Sequence, residues 1–76
     1  MTIREDISVL LEDQVQWTLR HNPYLTRKVV QCEAHDGRVV IRGEVGSYFQ
    51  KQMATEAVRK LNGIEQIDNQ LEVVWP

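Results

Sequence analysis

The chain has 76 residues, 42% of them apolar and 26% charged, with a formal net charge of −2. That length leaves room for one domain, the composition excludes disorder, and the slightly acidic balance argues against broad electrostatic attraction to nucleic acid. A lone cysteine, Cys32, rules out an internal disulfide, and no uncharged run approaches the roughly 20 apolar residues that span a bilayer.

Such a small domain buries only about 60% of its unfolded surface, so a partner subunit or a second domain is a natural source of further burial. Charge is unevenly placed: Glu5, Asp6, Glu12 and Asp13 lie toward one end of the first segment, and Arg20, His21, Arg27 and Lys28 toward the other. The opening MTIREDISVLLED lacks the charged, then apolar, then small plan of a secretory signal. A cytoplasmic location, with or without peripheral attachment to a membrane, is the default expectation.

From about Asp6 to Arg20, Leu11, Val15, Thr18 and Leu19 recur at helical spacing, with Ile7 one turn earlier, which predicts an amphipathic helix. Asn22-Pro23 stops it, because the residue before a proline is pushed out of the α region and proline has no N–H to donate. From Val29 the period becomes two. Val30, Cys32 and Ala34 alternate with polar residues, Asp36-Gly37 follows, and Val39, Ile41, Gly43 and Val45 resume the alternation. Asp-Gly between two such runs predicts a hairpin, since glycine readily takes the positive φ of the tight turn.

Gly43 stands where an inward side chain is due, which predicts a bulge or the close approach of another backbone, the alanine-bearing helix that follows being the candidate. Gly46 lies at the strand-to-helix junction. Ser47 with Gln50 has the form of a capping box, so a second helix is expected from near Tyr48, with Ala54, Ala57, Val58 and Leu61 on its apolar face. Asn62-Gly63 supplies a left-handed helix stop. Alternation through Ile67, Asn69, Leu71 and Val73 predicts a third strand ending near Val74. The fold class is therefore α+β, in the order αββαβ, with two helices on one face of a three-stranded mixed sheet. Right-handed crossover makes the third strand parallel to the second; its neighbour is left open.

This pattern resembles the BON domain, a bacterial module named for osmotic-stress and nodulation proteins. The resemblance runs from about Leu11 to Val74. It rests on Val15-x-x-Thr18-Leu19 followed by Pro23 and Leu25, the hairpin from Val30 to Ser47, Ala54-x-x-Ala57, and GIEQIDNQLEV from Gly63 to Val73. It implies the same αββαβ fold and a non-catalytic role in binding, often at membranes and anionic phospholipid. Many such proteins are exported and carry tandem copies or a partner domain, whereas one copy is present here. No invariant catalytic set comes with the resemblance.

The residues themselves offer no chemistry. Gly43-Glu44-Val45-Gly46 has the spacing of the phosphate-clamping loop of KH domains, but it joins a strand to a helix and carries an acid that repels phosphate. His21, His35 and Cys32 show none of the spacings of a metal site, so no cofactor or metal is expected. Cys32, on the inward side of a strand, reads as a small hydrophobe. Neither Ser8 nor Ser47 sits on a nucleophile elbow.

More informative are the large side chains that miss the inward stripes. Leu10, Gln14, Trp17 and His21 form a second line on the first helix, and Phe49 and Met53 one on the second. Adjacent helices would pack these lines against each other. Otherwise Leu10, Trp17, Tyr48, Phe49 and Met53, beside Arg20, Arg27 and Lys28, form an exposed patch. Such a patch suits an anionic phospholipid surface, where aromatic rings sit at the headgroup level and each cation adds about 1 kcal/mol. It equally suits a protein partner or a homodimer seam. Trp75-Pro76 is expected to extend the last strand as a hydrophobic plug. The functional expectation is a non-enzymatic module that associates with a membrane surface, the alternative being protein interaction or homodimerisation without lipid.

Overall fold

Helical periodicity at one end, Asp-Gly in the middle and a capped second helix produce the order α1 (Ile3–Arg20), β1 (Val30–His35), β2 (Arg38–Val45), α2 (Tyr48–Arg59) and β3 (Gln66–Val73). The computed structural model describes residues 3–25 and 30–74, with side chains from Leu10 onward. Ile7, Arg27, Lys28 and the Trp75-Pro76 plug, all singled out from the sequence, lie outside the described residues or side chains.

The sheet has the order β1-β2-β3, which places β2 in the centre. β1 and β2 are antiparallel with His35 opposite Arg38, and β2 and β3 are parallel with Val39 opposite Ile67. Asp36 and Gly37 both take positive φ, 49° and 82°, as the two-residue hairpin turn requires. The turn is tied to the far edge by the Gly37 carbonyl, which accepts from the Glu65 N–H at 2.7 Å and the Gln66 N–H at 3.2 Å.

Every second residue of each strand faces the helices. Val30, Cys32 and Ala34 of β1, Val39, Ile41 and Val45 of β2, and Leu71 of β3 are buried with Leu11, Val15 and Leu19 of α1 and Ala54 and Val58 of α2. Leu25, in the connection after α1, joins them. α1 packs chiefly on β1 and α2 on β3. The other face of the sheet is polar, with Arg38 joined to Asp68, and Arg42 to both Glu33 and Gln70. Gln70 and then Arg38 hold the Asp68 carboxyl below its usual range.

Three local expectations change. The ladder passes through Gly43, opposite Val30 and Leu71, with no inserted residue, so there is no bulge. The need for glycine there is conformational, since its φ is 138°. α2 ends at Arg59 with Lys60 as its cap in a right-handed conformation. Gly63, at φ 91°, therefore serves the turn into β3 and not the helix stop. The Ser47 hydroxyl accepts from the Gln50 N–H at 3.2 Å as a cap should, while the Gln50 side chain reaches one residue further back, accepting from the Gly46 N–H at 2.6 Å.

Candidate functional site

Burial of Leu11, Val15 and Leu19 fixes the rotation of α1. Trp17, two residues or about 200° on from Val15, is thereby turned away from the sheet. It is 62% exposed, as is Leu10 two turns earlier on the same side. On α2 the same logic applies: Ala54 and Val58 face inward, and Phe49 and Tyr48 point outward, 51% and 69% exposed. The two helices thus meet without interleaving their second lines, and only Met53 is half-buried. This corrects the expectation that those lines pack against each other.

The exposed aromatics gather where the C-terminal turn of α1 approaches the N-terminal turn of α2. There Trp17 stacks on His21, ring centres 4.1 Å apart, and His21 Nδ1 lies 2.8 Å from the Trp17 carbonyl oxygen. Tyr24 meets Phe49 edge to face at 4.9 Å. The Gln50 amide locks the two segments together by donating to the Tyr24 carbonyl at 2.9 Å. Tyr24, half exposed, was not singled out by periodicity because it lies beyond the helix stop. Its signal was an aromatic residue placed directly after Asn-Pro, where Asn22 Oδ1 accepts from the Tyr24 N–H at 2.9 Å.

Of the anticipated site residues, Trp17, Tyr48 and Phe49 belong to this end, Arg20 is exposed one turn after Gln16, and Leu10 lies further along α1. Among the described residues, the arrangement supplies apolar area and hydrogen-bonding ring edges and brings together no acid, base or nucleophile constellation. Cys32 does not change this. Burial, and then the Glu12 carboxylate, push its thiol up to about 11, away from the reactive thiolate. Its sulfur lies 3.4 Å from Gln16 Oε1.

A family model for the BON domain matches residues 8–74. The chain belongs to the BON family, whose members are non-catalytic binding modules. A search of curated proteins finds no match. Among the described residues, no helix is long and apolar enough to cross a membrane.

Proposed function

We propose that this domain docks on a membrane surface bearing anionic phospholipid, inserting the aromatic end of the molecule. The observation that carries the reading is the gathering of Trp17, Tyr24, Tyr48 and Phe49, each at least half exposed, at one end of the domain, while the other large apolar side chains among the described residues are mostly buried. Trp and Tyr have an apolar body and a polar tip, which suits the headgroup boundary and leaves neither end unsatisfied. Arg20 on the last turn of α1 adds a cation beside them. The chain's small net negative charge makes such a contact local, so it is to be sensitive to salt.

The exposed part of Trp17 amounts to roughly 150 Å², worth up to about 4 kcal/mol if fully withdrawn from water. Partial insertion still makes Trp17→Ala lose at least about tenfold in vesicle partition. The test is fluorescence of a Trp75→Phe protein, in which Trp17 is the sole indole, titrated with phosphatidylglycerol or phosphatidylcholine vesicles, beside light scattering for mass. The expected result is a blue shift with the anionic vesicles alone, weakening with salt. An emission maximum unmoved by either lipid, with a dimer mass, would transfer these aromatics to a seam between protein chains.

A further inference from the structure

β1 is an edge strand whose outer side is occupied in an unusual way. Because a two-residue turn closes the hairpin, His35 and Arg38 form a hydrogen-bonded pair, and the alternation directs the N–H and C=O groups of Val30, Cys32 and Ala34 away from β2. Two of these edge groups are held by side chains of α1. Gln16 Nε2 donates to the Val30 carbonyl at 3.0 Å, and the Ala34 N–H donates to Glu12 Oε2 at 3.2 Å. One is an amide donor and the other a carboxylate acceptor, filling the donor and acceptor roles that the N–H and C=O groups of a neighbouring strand would fill.

Around this edge lies an open cavity of about 550 Å³. Glu12, Gln16 and Arg20 line it from α1, and Gln31, Glu33 and Arg42 from the outer side of the sheet. An added strand presents successive side chains to opposite sides, so its two rows would meet these two walls. Glu12 and Arg20 stand roughly 12 Å apart along α1, close to the ~14 Å covered by the four-residue step from Val30 to Ala34.

We propose that this groove takes the C-terminal segment of a partner protein as an extra strand antiparallel to β1. Gln16 and Glu12 swing aside, the peptide backbone pairs with Val30, Cys32 and Ala34, and the terminal carboxylate rests on Arg20. Charge decides the occupant and its direction. Arg20 makes no ion pair among the described residues, it lies at the Val30 end of the groove, and an antiparallel strand finishes there. Glu12, at the Ala34 end, would repel a terminus of the same sign. A second whole copy fits poorly, because α1 sits over β1 and its twin would be brought within about one strand spacing, far less than the 8–10 Å that packed helices need. An isolated extended segment brings no helix.

The probe is a displayed library of random octapeptides with free C-termini, selected on the immobilised full chain. The enriched peptide is then synthesised and measured by fluorescence anisotropy and by amide shifts. We expect enrichment, shifts and slowed hydrogen exchange centred on Cys32 and Ala34, and affinity falling about tenfold or more in Arg20→Gln or when the peptide is C-terminally amidated, with partial recovery in Arg20→Lys. Circular dichroism checks that these surface variants remain folded. The proposal is overturned by no enrichment over a blank support, by shifts that map to the aromatic end, or by affinity indifferent to both Arg20→Gln and amidation. Arg20 is shared with the proposed membrane contact, but peptide amidation and the Cys32 and Ala34 shifts read the groove alone, so either reading can fail alone.

Discussion

Among the described residues on the helix-facing side of the sheet, Asn69 is the polar side chain in a row of Ile67, Leu71 and Val73. It stands opposite Ile41 and reaches up to α2. Its Nδ2 donates to the Lys51 carbonyl at 2.8 Å and to Thr55 Oγ1 at 2.7 Å, and its Oδ1 accepts from the Leu71 N–H at 3.1 Å. The first two bonds couple α2 to an edge strand that it otherwise holds through small side chains, and the third fixes the Asn69 side chain within β3. Each contributes about 0.5–1.5 kcal/mol net, and partial water access at a half-buried site keeps the sum toward the lower half of that range. Asn69→Ala is therefore expected to cost about 2–3 kcal/mol. A domain of this size moves its midpoint by roughly 4–8 °C per kcal/mol, so thermal unfolding followed by circular dichroism should show a drop on the order of 10–20 °C. Thr55→Val removes one of the bonds and should cost about 1 kcal/mol, and the double variant should be less than additive. If Asn69→Ala melts within about 2 °C of wild type, the bridge contributes nothing and α2 is held by apolar contact alone.

Other outcomes follow from single features of the fold. Trp17→Ala should leave the unfolding free energy from urea denaturation within about 0.5 kcal/mol of wild type, because most of the ring faces solvent; a larger loss would show that the His21 stack is structural. Gly43→Ala, forced to a φ of 138°, should destabilise by about 1–3 kcal/mol in the same assay. The Cys32 thiol, raised from 9.0 to about 11, should react with a disulfide reagent near pH 8 on the order of a hundredfold more slowly in the folded chain than in urea. The folded state holds this proton above the unfolded pKa, so stability is undiminished below about pH 9 and falls as pH rises from 9 toward 11. A Cys32→Ala protein should lose that alkaline slope.

Much of this architecture could be read from local chemistry. Asp36-Gly37 specified the hairpin and hence its register, Ser47 and Gln50 the start of α2, and the Leu11, Val15, Leu19 stripe the rotation of α1. Each is a short-range signal with one physical solution. The site was less legible, since Trp17 and Phe49 could have met across the helix seam or faced water, and the choice depends on how the sheet spaces the two helices. Periodicity gives the angle of a side chain about its own helix and not the distance to the next one. Tyr24 and the edge-holding pair Glu12 and Gln16 were missed for a related reason. Their roles arise from contacts with Phe49 and with the β1 backbone, distant in sequence and without a motif.

The placement of Gln16 and Trp17 next to each other in sequence has a consequence for how the domain can work. They are about 100° apart on α1, so one reaches toward the β1 edge and the other away from the sheet. A strand added at β1 therefore leaves the aromatic end uncovered, and a membrane touching that end leaves the groove open. One small domain can then hold a protein tail and a surface together. Arg20 is a group both contacts would use, so vesicle partition measured with the enriched peptide at saturation should fall by no more than the loss of that cation, about 1 kcal/mol or roughly fivefold. A peptide that displaces the protein from vesicles would mean that the two surfaces are one.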